Sequence, residues 1–261
     1  MAKKEKYIEI VGITGMGEDY NVYKLNIKER IIGYLIGFVG GFLATEIMFG
    51  VVIASVIIGA IVGFIAIPIY NRYLFKKRKK TIRMQFRDLL DSLNNSFSAG
   101  KNTNSAFGDA YDDMCRAYSK DAIIAQEVFI INKGLVNNFT IEQLLENFAQ
   151  RTGINDIDSF AQTFSVCTRL GGNLKKVVAD TRDIINDKIE IEMEIETTVS
   201  SNKNEINILC FMPFVVITMI KGMGNDAITA NTPINVIIKL VAIGIFVLAY
   251  FLGQKITDIK V

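Results

Sequence analysis

The sequence predicts an all-α, polytopic membrane protein: four transmembrane helices with a cytoplasmic helical bundle between the second and the third. Three observations carry that reading. Half of the 261 residues are hydrophobic while 21% are charged, and the mean hydropathy is +0.30, so polar and apolar residues must be separated along the chain. The longest apolar stretches come in two pairs, one toward each end. Between the pairs, apolar residues recur at helical spacing.

The chain opens with a polar segment, 1–28, that carries Lys3, Lys4, Lys6, Lys24 and Lys28. A secretory signal is not expected, because this polar stretch precedes the first apolar one and no clean small-residue cleavage site follows. "YIEIVGI" and "NVYKLNI" are strand-like and invite pairing as a hairpin. "GITGMGEDYNVYK" holds Gly12, Gly15 and Gly17 but lacks the spacing of a phosphate loop, and reads as a flexible turn.

Residues 29–72 hold the first pair of spans, about Ile31–Ala44 and Val51–Tyr70, linked through "TEIMFG" with Glu46. A spanning helix needs roughly 20 residues, and the whole stretch accommodates two antiparallel helices. Gly33, Gly37 and Gly41 form a GxxxGxxxG ladder in the first, and Gly59 and Gly63 a GxxxG in the second. Small residues at this spacing let helix backbones approach closely. The expectation is that the two helices pack on each other, with association to another membrane subunit as the alternative.

"NRYLFKKRKKTIR" follows, with Arg72, Lys76, Lys77, Arg78, Lys79, Lys80 and Arg83. Basic residues concentrate on the cytoplasmic side of membrane proteins, which places 73–205 and both termini there. The second pair of spans, within 206–253, begins with "INILCFMPFVVITMIKG" and ends with "VIIKLVAIGIFVLAYFLG". Between them lies a polar loop in which Thr232 and Pro233 start the last helix. Pro68 and Pro213 fall inside predicted spans and are expected to kink them. Residues 254–261 form a cytoplasmic tail.

The region 73–205 reads as helices throughout. Phe86, Leu89, Leu90, Leu93 and Phe97 form one stripe; Phe107, Ala110, Tyr111, Met114 and Tyr118 a second; Ile124, Val128, Ile131 and Leu135 a third. Thr140 and Gln143 make a capping box ahead of Ile141, Leu144, Leu145 and Phe148. Phe160, Phe164 and Cys167 follow. Asn173 caps a last helix bearing Leu174, Val177, Val178, Thr181, Ile184 and Ile185.

That helix runs into "IEIEMEIE" at 189–196, whose strict alternation alone signals a strand. No Gly or Pro separates the two, and no partner strand is at hand, so a single helix from about Asn173 to Asn204 is predicted. At about 100° per residue, Glu190 and Glu194 then lie on the outer face. Glu192 and Glu196 lie on the side of Leu174, Thr181, Ile185 and Val199. They are expected either to form ion pairs with the basic run (Lys76, Lys77, Arg78, Lys80 and Arg83), which also meets lipid headgroups, or to dock a basic partner.

The composition excludes much chemistry. There is no histidine, and Cys115, Cys167 and Cys210 are far apart, so neither a histidine-based triad nor a zinc site nor a disulfide framework is expected. Asp109, Asp112 and Asp113 do not have calcium-loop spacing. Asp156 and Asp158 suit a helix start. A net charge of +2 gives no reason to expect nucleic acid. No enzyme, cofactor, metal or small-molecule substrate is predicted.

At "TRLGGNLKKVVADTRDIINDK" the chain resembles the type II secretion system F domain, in the form found in Flp/Tad pilus assembly platform proteins of the TadB/TadC type. The resemblance rests on Gly171-Gly172-Asn173-Leu174 and the helix after it. It extends over "FRDLLDSLNNSFSAGKNTNSAFGDA" and "TIEQLLENFAQRTGINDIDSFAQTF", the latter with Leu144, Leu145, Phe148 and Arg151, and covers about 80–222. The stretch after the turn is acidic where relatives often carry arginine. There is one such domain, not a tandem pair. The resemblance implies a platform in the cytoplasmic membrane. Its expected partners are a hexameric secretion ATPase, a second F-domain protein or another copy of itself, pilin and membrane lipid. It would couple the ATPase to pilin insertion, with the long helix after Asn173 as a lever. The competing readings are a transporter subunit and a membrane-anchored signalling scaffold.

Overall fold

A computed structural model describes residues 9–222 and a subset of positions between 232 and 252. Within 9–222, the side chains of 196, 198–204, 206 and 210 are outside the description. The 223–231 loop, Pro233 and the 254–261 tail, all assigned from sequence, also lie outside it.

The helices are α1 (Ile27–Phe49), α2 (Val52–Ser98), α3 (Thr103–Ala117), α4 (Ile123–Val136), α5 (Ile141–Thr152), α6 (Asn155–Leu170) and α7 (Leu174–Gly222). Among the described residues none is in a strand. The hairpin expected near the N-terminus does not form: 9–24 runs as turns and coil, because its backbone groups bond to side chains instead. The Ile10 N–H donates to the Asp19 carboxylate at 2.9 Å, and the Ile13 N–H to Asn147 Oδ1 at 3.4 Å.

Local chemistry sets the helix ends. Asn26 and Glu29 form a capping box at the start of α1, and Gly50 closes it in the left-handed region. Asn102 accepts from the Ser105 N–H to open α3. Thr140 and Gln143 form the reciprocal box that opens α5. The turn at Gly171-Gly172-Asn173 is a stop and a start in one. Gly171 has φ 66°, and the Gly172 N–H donates to the Cys167 carbonyl at 2.8 Å, which is a Schellman closure of α6. Asn173 then accepts from the Lys176 N–H at 3.2 Å, capping α7.

The chain divides into two units. The first holds the N-terminal segment through Lys24 together with Tyr73–Ile189; the second holds Leu25–Arg72 and the chain from Glu190 onward. In the first unit α2 contributes Ile82, Phe86, Leu89, Leu90 and Leu93 to a core closed by Phe107, Phe148, Phe160, Phe164, Val178 and Ile185, all at most 1% exposed. Phe160 meets Phe86 edge-to-face with ring centroids 5.5 Å apart. Phe160→Ala is expected to lower stability by about 3–5 kcal/mol, read as a fall in the thermal midpoint of helical circular dichroism in mild detergent.

In the second unit, α1 and α2 are long and apolar enough to cross a membrane. Gly33, Gly37, Gly41, Gly59 and Gly63 lie in the seam between them. A Cβ on Gly41 would lie 3.2 Å from the Cα of Gly59, and one on Gly63 would lie 2.8 Å from the Tyr34 ring. Gly37 faces Ala66, Gly63 and Val62, and Gly33 faces Tyr70. Pro68 and Pro213 sit inside continuous helices, α2 and α7. The "IEIEMEIE" segment is helical. Ile189 is 8% exposed, while Ile191 and Met193 are 51% and 52% exposed, a distribution that a helical turn produces and a two-residue period does not.

Candidate functional site

The most developed polar site lies inside the first unit. Glu127 stands on α4 among Ile124, Val128 and Ile131, and Arg151 stands on the last turn of α5 below Leu144 and Phe148. Their side chains are 0% and 1% exposed. The guanidinium pairs with both carboxylate oxygens, the Nη1–Oε1 distance being 2.6 Å. Arg151 Nε donates to Asn147 Oδ1 at 2.9 Å, and Nη1 to the Glu18 carbonyl at 3.2 Å. The Tyr20 hydroxyl donates to Glu127 Oε1 at 2.7 Å. Two buried charges are tolerable only because nearly every donor and acceptor is matched in this way.

The segment 9–24 is thereby strapped to the bundle. The Tyr20 N–H donates to the Arg151 carbonyl at 2.8 Å, and the Asn21 amide to the Gln150 carbonyl at 2.9 Å. Asn147 Nδ2 donates to the Val11 carbonyl at 3.3 Å. From α2, Lys79 donates to Asn21 Oδ1 and to the Gly153 carbonyl, both at 3.2 Å. Arg78 pairs with Glu18 at 2.5 Å and lies 4.5 Å over the Tyr20 ring. Gly17 is required here: its φ is 100°, and a Cβ would lie 2.5 Å from the Arg151 guanidinium.

Burial pulls the Arg151 guanidinium down, but the hydrogen bond and charge of Glu127 outweigh it and the group is raised. Burial, then the charge and hydrogen bond of Glu127, push the Tyr20 phenol far above its ordinary value. Burial lowers the Lys79 ammonium, partly offset by Asp19. A raised phenol stabilises the fold below the unfolded tyrosine value of about 10 and loses that contribution as pH rises beyond it. Stability is therefore expected to fall above pH ~10, and Tyr20→Phe to flatten that fall; denaturant midpoints across the alkaline range check it.

Two arginines of the basic run singled out in the sequence are engaged within the first unit. Arg83 pairs with Asp156 at 2.8 Å, and Lys188 of α7 reaches the same carboxylate. Asp156 thus joins α2 to α7 as well as opening α6. Arg78 turns to Glu18 in the strap. Lys76, Lys77 and Lys80 are exposed, Glu192 is half-buried on α7, and the Glu196 side chain lies outside the described residues. Sequence spacing does not single out Glu127 or Tyr20, and Arg151 enters there only through the resemblance. Their signal in the sequence is a single charge set into an apolar stripe on each of two helices.

No family model, curated protein or solved structure matches the chain.

Proposed function

We propose that the chain is a non-enzymatic platform protein of a Tad/Flp-type, type IV-like pilus or a type II secretion-like machine. It would sit in the cytoplasmic membrane with four spans and an F-domain bundle inside the cell. Its partners would be a hexameric secretion ATPase, a second platform subunit, and pilin. One observation carries the reading: α2 and α7 each run without a break from an apolar stretch into the helices of the bundle. A conformational step imposed on such a bundle reaches the apolar segments through continuous backbone.

Contacts within the apolar unit favour four spans. Lys221, in the last turn of α7, donates to the Glu46 carbonyl near the end of α1 at 3.4 Å. This gives α1 a cation at its negative end and brings the C-terminal ends of the two helices together. Lys239, in the last apolar stretch, lies 5.6 Å over the Phe49 ring. The Glu46 carboxylate, in the last turn of α1 and not in the link as the sequence suggests, accepts from Ser55 at 2.9 Å, so this acid is engaged locally and not aimed into a transport path.

The test is a pull-down of the tagged protein from its native membranes in mild detergent, with partners identified by mass spectrometry. Recovery of a secretion-type ATPase and a second F-domain protein is the expected result. Recovery of a solute-binding protein or a signalling kinase in their place would overturn the platform reading in favour of a transporter or scaffold.

A further inference from the structure

The helices of the first unit alternate in direction, which gathers their turns at two ends. Gln85 of α2 accepts from the Ile124 N–H at the start of α4 at 3.3 Å, and Asp156 joins Arg83 of α2 to Lys188 of α7 at the same level. The α2–α3, α4–α5 and α6–α7 turns (99–102, 137–140 and 171–173) lie at the other end. Toward that end Asn132 of α4 donates to the Phe107 carbonyl of α3 at 3.0 Å, and the Phe97 and Phe164 rings of α2 and α6 are 6.5 Å apart. Two properties set this end apart. Among the described residues of the unit, the two most exposed large apolar side chains are there, Val136 at 82% and Leu170 at 79%. Charge is the second. The three turns, with one helical turn on either side of each, hold five basic residues, Lys101, Lys133, Arg169, Lys175 and Lys176, against one acid, Glu142. The α3–α4 and α5–α6 turns, bounded in the same way, hold three of each sign. Lys101 is taken up by Asp109, but Arg169, Lys175 and Lys176 are exposed and make no ion pair among the described residues.

We propose that the α6–α7 turn is the docking surface for an acidic partner protein, with Leu170 as the apolar anchor and Arg169, Lys175 and Lys176 around it. The inference rests on the platform reading, on which that partner is the secretion ATPase. An exposed aliphatic side chain ringed by charge has the make-up of an interface: the apolar centre loses water on docking, and the charged rim steers and selects. The sign of the rim selects an acidic surface. It also excludes a second copy of the same turn, which would set cations against cations. Position excludes a lipid headgroup. Leu174 stands about 22 Å along α7 from Ile189, the last residue of the unit on this helix, farther than a folded-back lysine stem reaches toward the apolar stretch.

The experiment makes the native-membrane pull-down quantitative, reading the secretion-type ATPase and the second F-domain protein recovered per tagged full-length chain. ATPase recovery on the native chain is expected to fall as salt rises. K175Q/K176Q is expected to lower it about fivefold, the effect of two exposed ion pairs. Leu170→Asn is expected to lower it about tenfold through the lost apolar contact. Both variants should keep the second F-domain protein and, since the three side chains are exposed, the native melting midpoint in circular dichroism. R116Q/K120Q, which removes two exposed cations at the other end of the bundle, is expected to leave ATPase recovery unchanged. Undiminished recovery in K175Q/K176Q or in Leu170→Asn, or an equal loss in R116Q/K120Q, would overturn the proposal and leave the platform reading standing. Loss of the second F-domain protein with the ATPase retained would also overturn it, giving the surface to that subunit. Absence of the ATPase from the native chain itself would overturn the platform reading, and the proposed occupant with it.

Discussion

Arg151→Ala is expected to cost about 3–5 kcal/mol, because it leaves Glu127 charged and alone in a closed interior. For a bundle of this size that lowers the thermal midpoint on the order of 10 °C. The loss extends beyond the pair. Arg151 also holds the Glu18 carbonyl and keeps Glu127 as the acceptor for Tyr20, so 9–24 should come away before the bundle melts. Limited proteolysis is expected to cut the variant within the strap while the helices survive. The double variant Glu127→Leu, Arg151→Met separates charge from structure. Apolar residues of similar volume often restore or exceed the stability of a buried ion pair, so the melting midpoint should recover. The strap should stay loose, since the acceptor for the Tyr20 hydroxyl is gone. A double variant with a tightly held strap would show that the backbone contacts at Arg151, Gln150 and Asn147 suffice.

On the platform reading proposed above, proline at Ile191 and at Ile195 is expected to abolish filament or substrate export while leaving protein level and membrane location near normal. Each proline removes one helical hydrogen bond and clashes with the preceding turn, at about 3 kcal/mol or more. Both positions lie on α7 beyond the last residue of the bundle core, Ile189, so the core is spared. Export by the double variant at the level of the native chain would exclude α7 as the lever. Ile191→Ala and Ile195→Ala serve as controls, since they shorten the same side chains without breaking the helix.

The helices were legible through a 3.6-residue apolar stripe, and several also through a cap. Phe86 through Phe97 on α2, Thr140 with Gln143 on α5, and Gly171-Gly172-Asn173 between α6 and α7 are all readable from neighbouring residues. The strap was not. Residues 9–24 have no periodicity, and their partners lie on α4 and α5. What seemed strand-like around Ile10 and Val22 is extended chain whose hydrogen bonds go to Asp19, Asn147 and the end of α5. The basic run divides in a way its spacing does not show. Read as a string it is one positive patch, but a helix distributes consecutive residues around its circumference. Which lysines remain at the surface depends on where Glu18 and Asp156 come to rest, and sequence spacing does not supply that.

The seat of the strap has a consequence for the order of synthesis. Glu18 and Arg151 are separated by 133 residues. At about 5–20 residues per second, roughly 7–27 s pass between the making of one and the making of the other. Within that interval α1, α2, α3 and α4 are made, and Tyr20 lacks the Arg151 carbonyl that its N–H meets in the finished fold. The strap is therefore made well before the helix that seats it. A chain stopped before α5 lacks the Arg151 and Gln150 carbonyls and the Asn147 amide that seat the strap.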